Sequence, residues 1–210
     1  MKNVVIYVYG KGGNAEEANH YKQFFDDNFD IIGFDYKSDK PWDAKIEFSN
    51  YFNSIVPQYN KIYLIANSVG AFFSLISLSD KPIEKAMLFS PIVDMERLIL
   101  DMMLWANVSE EELSIKKEIE TSFGETLSWE YLSYVRGNPV YWDIPTEILY
   151  GKKDNMTSFS TITDFSKKIN ANITIMSGGE HWFHTKEQMR FLDNWIRHFA
   201  PESTKSREEN

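Results

Sequence analysis

The sequence has no cysteine among its 210 residues. This absence excludes disulfide bonds, metal sites built on thiolates and a cysteine nucleophile. Positive charge is also scarce, because 22 Lys and Arg residues stand against 31 Asp and Glu residues and the formal net charge is -9. Nucleic-acid binding requires clustered Lys and Arg to neutralise phosphates, so this balance argues against it. We therefore expect no nucleic-acid partner.

Long apolar runs are missing as well. No stretch approaches the roughly 20 residues that a membrane span needs. The chain opens directly into a strand pattern at residues 3–9, without an apolar signal segment. The prediction is a cytoplasmic protein that does not cross a membrane. Residues 202–210 contain no apolar side chain, so we expect one domain over residues 1–201 and a solvated tail after it.

Short apolar runs, in contrast, recur along the chain. Runs typical of buried strands occur at residues 3–9, 29–34, 62–65, 85–89, 146–150 and 173–176. Helical patterns lie between most of them, including residues 42–59, and a last helix is predicted at 185–200. This alternation predicts an α/β three-layer sandwich, in which helices cover both faces of a mostly parallel sheet. Ligands of such sheets bind at the carboxyl ends of the strands.

Residues 91–142 do not follow the alternation. They contain no convincing strand pattern, and we interpret about 94–140 as a helical lid insertion. Met102, Met103 and Trp105 belong to an apolar helix face in this segment. Flexible methionines and an aromatic ring are suited to line an apolar substrate pocket. Ordinary core packing is the alternative for the same three side chains.

The most informative stretch follows the third predicted strand, where residues 66–70 read Ala-Asn-Ser-Val-Gly. A strand, a tight turn with a central serine and then a helix is the arrangement of a nucleophile elbow. Small residues flank the serine because the helix passes close to the strand. The alternative is that Ser68 only caps the helix, since serine is a preferred N-cap residue.

A serine nucleophile needs a base to take its proton and a third group to orient that base. His181 follows the last predicted strand in a glycine-containing loop, and Asp154 follows the strand before it. Ser68, Asp154 and His181 thus each follow a strand, in the order Ser, Asp, His. Asp94 and His184 are the alternatives for the acid and the base.

A glycine-rich loop follows the first predicted strand, where residues 10–14 read Gly-Lys-Gly-Gly-Asn. The loop matches neither the dinucleotide-binding fingerprint nor the P-loop spacing. Glycines allow close approach of the main chain, so the loop could instead direct backbone N–H groups at a reacting oxygen.

Together these motifs resemble an α/β-hydrolase-fold serine hydrolase, of the compact kind found among bacterial esterases and lipases. The resemblance extends from about residue 3 to residue 199 and implies a reduced sheet of about six parallel strands. It also implies that the backbone N–H groups of Lys11 and Val69 form the oxyanion hole. The family commonly has a histidine before the glycine of this loop, where this sequence has Tyr9.

The resemblance implies acyl transfer through a serine ester. Ser68 would be the nucleophile, His181 the base and Asp154 the group that orients it, with no metal or organic cofactor. We expect a small-molecule carboxylic ester with an apolar acyl or alcohol group as substrate. A thioesterase or peptidase using the same triad is an alternative, as is a non-catalytic small-ligand-binding protein of the same fold. The sequence does not determine the oligomeric state.

Overall fold

Six parallel strands form the central sheet of the computed structural model, which describes residues 1–201. The tail predicted at 202–210 lies outside the described residues. The described residues contain eight strands in all, of which β5 and β6 lie outside this sheet: β1 (Asn3–Val8), β2 (Phe29–Gly33), β3 (Ile62–Asn67), β4 (Ile83–Phe89), β5 (Glu118–Glu120), β6 (Thr126–Ser128), β7 (Thr146–Gly151) and β8 (Asn172–Met176). The main sheet has the order β2-β1-β3-β4-β7-β8, and every neighbouring pair is parallel. The predicted sheet of about six parallel strands is confirmed.

Eight α-helices accompany these strands in residues 1–201. They are α1 (Ala18–Tyr21), α2 (Pro41–Ile55), α3 (Ser68–Ser77), α4 (Met95–Ala106), α5 (Glu110–Lys116), α6 (Trp129–Gly137), α7 (Phe159–Lys168) and α8 (Lys186–Phe199). The predicted helix at 42–59 ends as an α-helix at Ile55 and continues as a 3₁₀ turn. Pro57 accounts for this change, because proline lacks the N–H that an α-helix interior requires.

Alternate residues of β1 enter two different cores. Val4, Ile6 and Val8 pack in one buried cluster with residues of α2, α3 and α7, whereas Val5 and Tyr7 pack in a second cluster with residues of α1 and α8. Side chains point to opposite faces of a strand in turn, so both faces of the sheet are covered. The predicted three-layer sandwich is confirmed.

The segment predicted to be a purely helical lid contains a β-hairpin. Strands β5 and β6 pair antiparallel between α5 and α6, with Ile119 opposite Leu127. The prediction of a segment without strands was wrong, because strands of three residues provide too few alternations to be recognised. Leu127 is 1% exposed and belongs to the buried cluster on the α2, α3 and α7 side of the sheet, which is the larger of the two. This burial fixes the hairpin to the body of the protein.

No helix in residues 1–201 has the length and apolar character that crossing a membrane requires.

Candidate active site

Four connections leave the same edge of the sheet. They follow β1, β3, β7 and β8 and carry residues 10–13, Ser68, Asp154 and His181. All strands of the sheet are parallel, so their carboxyl ends meet at this edge. The sheet topology therefore gathers residues that are far apart in the sequence.

Ser68 follows β3 directly and is the first residue of α3, where its backbone is strained. Its φ of 50° is in the left-handed region, which costs a non-glycine residue about 1 to 2 kcal/mol. Asn67, not Ser68, is the N-cap of α3, and its side chain makes no capping hydrogen bond. A Cβ on Gly70 would lie 2.2 Å from the carbonyl oxygen of Tyr9, so only glycine allows α3 to pass this close to the end of β1.

The side chains of the predicted triad form one chain of hydrogen bonds. Ser68 Oγ lies 2.8 Å from His181 Nε2, and His181 Nδ1 lies 2.8 Å from Asp154 Oδ2. A carboxylate can only accept, so Nδ1 carries the proton and Nε2 is left to accept the Ser68 hydroxyl proton. This arrangement connects a hydroxyl to a base and the base to an orienting acid.

Asp154 is held more firmly than an ordinary turn residue. Its side chain is 0% exposed, and Oδ1 accepts the backbone N–H groups of Met156 at 2.7 Å and Thr157 at 2.9 Å. Both carboxylate oxygens are therefore engaged. The loop after β7 also packs directly on the loop after β8, since a Cβ on Gly151 would lie 2.6 Å from the carbonyl carbon of Gly179.

The two alternative residues make other contacts. Asp94 is exposed and caps α4, where its Oδ1 accepts the backbone N–H of Arg97 at 2.9 Å. His184 precedes α8, which begins at Lys186. Its Nδ1 donates to the carbonyl oxygen of Trp182 at 2.8 Å. Neither side chain belongs to the hydrogen-bond chain at Ser68.

Lys11 and Val69, the two residues expected to form an oxyanion hole, lie in the glycine-rich loop and at the start of α3. Val69 is the second residue of α3, where backbone N–H groups have no intrahelical acceptor. The N–H of Lys11 has no protein acceptor in residues 1–201. The glycine-rich loop touches the start of α3, because a Cβ on Gly10 would lie 2.8 Å from the Ser68 Cβ. Gly10, the residue before Lys11, therefore lies against Ser68, and Val69 follows Ser68 in the chain.

Tyr9, the residue after β1, anchors this loop through a reciprocal pair of hydrogen bonds. Its hydroxyl donates to the carbonyl oxygen of Tyr36, the Tyr36 hydroxyl donates to that of Tyr9, and both distances are 2.9 Å. The rings stack with centroids 4.5 Å apart. Burial raises the pKa of both phenols, so both hydroxyls remain protonated donors near neutral pH.

The three residues expected to line a substrate pocket differ in exposure. Met103 is 3% exposed and lies in the larger core cluster, whereas Met102 is half-buried and Trp105 is 51% exposed. The Trp105 ring meets Phe123 of the hairpin turn edge to face, with centroids 6.2 Å apart. Two cavities of about 490 and 480 Å³ lie elsewhere among residues 1–201, and neither is lined by the triad or by these three residues.

Several solved structures with a similar fold are described as hydrolases or as a thioesterase domain. Est1E from Butyrivibrio proteoclasticus matches with a TM-score of 0.74 at 14% identity, over 94% of this chain and 86% of that chain. Alpha/beta hydrolase domain-containing protein 10 from mouse matches with a TM-score of 0.68 at 14% identity, over 93% and 88%. A thioesterase domain from the curacin biosynthetic pathway matches with a TM-score of 0.55 at 13% identity, over 93% and 91%.

This protein has the α/β-hydrolase fold. No family model and no curated protein sequence matches the chain. At identities this low, the likeness shows the fold alone.

Sequence reasoning missed one residue that organises the histidine loop of this α/β-hydrolase fold. Gln188 on α8 is 4% exposed, and its Oε1 accepts the backbone N–H groups of His184 at 3.1 Å and Thr185 at 3.3 Å. Its Nε2 donates to the carbonyl oxygen of Gly178 at 3.3 Å. The amide thus joins both ends of the loop that carries His181. The spacing Thr-x-x-Gln, a capping box, is the signal that could have identified it.

The strained backbone at Ser68 predicts that a glycine variant is more stable than an alanine variant at this position. The free energy of unfolding should be about 1 kcal/mol higher for Ser68→Gly than for Ser68→Ala, because glycine adopts positive φ freely and both variants lose the same hydroxyl. Urea unfolding measures the difference. The control is the same pair of changes at Ser74, inside α3, where glycine should be about 1 kcal/mol less stable than alanine. The same sign at both sites would contradict the prediction.

Proposed function

We propose that this protein is a serine hydrolase that cleaves a small carboxylic ester through an acyl-enzyme. The observation that carries the proposal is the hydrogen-bond chain from Ser68 Oγ through His181 to the buried Asp154. A serine that only caps a helix does not require a histidine that is oriented by a buried carboxylate. The strained φ of Ser68 supports the same conclusion, because strain of this kind concentrates at functional sites.

The mechanism begins as Ser68 Oγ attacks the ester carbonyl carbon while its proton passes to His181 Nε2. The carbonyl oxygen becomes an oxyanion, and the N–H groups of Lys11 and Val69 stabilise it. Asp154 stabilises the imidazolium that forms. The tetrahedral intermediate then collapses, His181 returns the proton to the leaving alkoxide, and the alcohol departs.

Water completes the cycle. It attacks the acyl-enzyme as His181 accepts its proton, and the acid leaves when Ser68 recovers that proton. Each step uses only side chains and backbone N–H groups of this chain, so the proposed reaction requires no metal or organic cofactor.

An apolar or aromatic acyl group is the substrate class that we favour. Trp105 and Phe123 expose aromatic surface on the insertion, and Phe123 lies two residues from Glu125, whose carboxylate binds the Lys11 side chain. The aromatic pair is thereby linked to the oxyanion loop. A further structure of Est1E, with a TM-score of 0.66 at 16% identity over 94% and 87% of the two chains, has ferulic acid bound. An aromatic acid in that neighbour is consistent with the preference.

The proposed function is tested with p-nitrophenyl esters of acetate, butyrate, octanoate and cinnamate, beside a matching thioester and anilide. We expect wild-type turnover of the esters and none by Ser68→Ala. Preference for the thioester would favour a thioesterase, the function of the curacin-pathway neighbour. A folded wild type without turnover of any of the compounds, and with tight binding of one, would favour a binding protein instead.

The same compounds test the aromatic pair. Trp105→Ala and Phe123→Ala should lower kcat/KM for the octanoate and cinnamate esters roughly tenfold and leave the acetate ester unchanged, since apolar contacts change preference rather than chemistry. Ile46→Ala is the matched control, because Ile46 is an exposed apolar residue on α2. Identical profiles for all these proteins would remove the pair from the substrate site.

A further inference from the structure

The turn that presents Lys11 has almost no side chains of its own. Residues 10–13 are Gly-Lys-Gly-Gly, and the backbone N–H of Gly13 donates to the carbonyl oxygen of Gly10 at 3.1 Å. Gly12 has a φ of +81°. Glycine has the widest backbone freedom of any residue, so this turn by itself fixes the direction of the Lys11 N–H only weakly.

The one side chain in the turn is bound to the insertion. Lys11 Nζ lies 2.6 Å from Glu125 Oε1 and 2.7 Å from Glu125 Oε2, across 114 residues of sequence. The ammonium group therefore faces both carboxylate oxygens. No other side chain holds the Lys11 side chain within residues 1–201.

The residue at the other end of this ion pair is itself well fixed. The backbone N–H of Glu125 donates to Thr121 Oγ1 at 3.1 Å, and its carbonyl oxygen accepts both the backbone N–H and the hydroxyl of Thr121, at 2.8 and 2.7 Å. These bonds close the turn of the hairpin. Two residues further on, Leu127 is buried in the core. Glu125 thus gives the flexible turn a rigid attachment point.

We propose that the ion pair between Lys11 and Glu125 holds the Lys11 backbone N–H in position for the oxyanion, which makes Glu125 a positioning residue. The inference rests on the proposed function and deepens it, because it connects the insertion to the reacting oxygen. The lid segment then contributes to the chemical step as well as to substrate contacts.

Turnover, rather than stability, is the property that this ion pair should affect. Its side chains are 70% and 41% exposed, and exposed ion pairs add little to the free energy of unfolding. Restricting a glycine-rich turn acts on a different quantity, the fraction of molecules whose oxyanion donor is correctly placed. Misplacement lowers kcat, and KM for a small ester changes little.

The experiment reverses the charges singly and together. Lys11→Glu and Glu125→Lys should each lower kcat for p-nitrophenyl acetate about three- to fivefold, which is the range that an exposed ion pair can supply, with less than a twofold change in KM. The double variant, with both changes, should return kcat to within about twofold of wild type. Thermal unfolding should be nearly the same for all four proteins.

A second ion pair provides the control. Lys61 Nζ and Glu84 Oε2 lie 3.4 Å apart, with side chains 41% and 48% exposed, near the starts of β3 and β4 at the other end of the sheet. Reversing these charges in the same way should leave kcat unchanged. Salt gives an independent readout, because 1 M NaCl screens exposed pairs. It should lower wild-type kcat toward that of Glu125→Gln and leave Glu125→Gln unaffected.

The outcomes separate this inference from the proposed function. Wild-type kcat in both single variants, with Ser68 still essential, would overturn the positioning role and leave the hydrolase intact. Failure of the double variant to recover would also overturn it, since a direct effect of the Lys11 charge on the oxyanion persists when the charges are exchanged. A wild type without ester turnover would overturn the proposed function, and the positioning role with it.

Discussion

Treatment of the purified protein with a fluorophosphonate should add one phosphonyl group per chain, at Ser68. Ser68 Oγ attacks phosphorus, its proton passes to His181 Nε2 at 2.8 Å, and fluoride leaves. The N–H groups proposed for the oxyanion hole stabilise the charge on the phosphonyl oxygen during this step. Mass spectrometry of the intact protein and its peptides measures the stoichiometry and the position.

Other serines of the chain serve as internal controls. Ser109 and Ser158 are N-caps whose hydroxyls accept backbone N–H groups, so they should take up no label. Labelling should be lost in both Ser68→Ala and His181→Ala. A folded protein that takes up no label would return Ser68 to a structural role and favour the binding-protein alternative. A label on another serine would show that the triad is wrongly assigned.

Asp154→Asn should lower kcat by roughly 10⁴-fold, the loss seen when the equivalent carboxylate of the serine-protease triad becomes an amide. The change keeps the size of the buried side chain and removes the charge that stabilises the imidazolium. If the amide oxygen keeps the N–H groups of Met156 and Thr157, its NH2 group faces His181 Nδ1 and favours the wrong tautomer, in which Nε2 carries the proton and cannot accept from Ser68.

The matched control for this change is Asp94→Asn. Asp94 caps α4, and asparagine is an equally good N-cap residue, so both stability and kcat should remain near wild type. Steady-state kinetics beside urea unfolding would separate loss of chemistry from loss of fold. If Asp94→Asn abolished turnover and Asp154→Asn did not, the acid would have to be reassigned to Asp94.

The local pattern of apolar residues was sufficient to predict much of the fold. Buried parallel strands read as short, nearly continuous apolar runs, so all six strands of the main sheet could be identified before their pairing was known. The hairpin at β5 and β6 could not, because each strand has three residues and only Ile119 and Leu127 mark its inner face. Its pairing depends on burial against helices that come before and after it in the sequence.

The sequence by itself determined the candidates for the site: a serine in an elbow, two acids, two histidines and a glycine-rich loop, each next to a strand or helix end. Only the tertiary structure decided which side chains meet. Hydrogen bonds are short and directional, so His181 binds Ser68 and Asp154 binds His181, while His184 and Asp94 bind elsewhere. The contact of Lys11 with Glu125 depends likewise on chain packing, because no local pattern relates residues 114 positions apart.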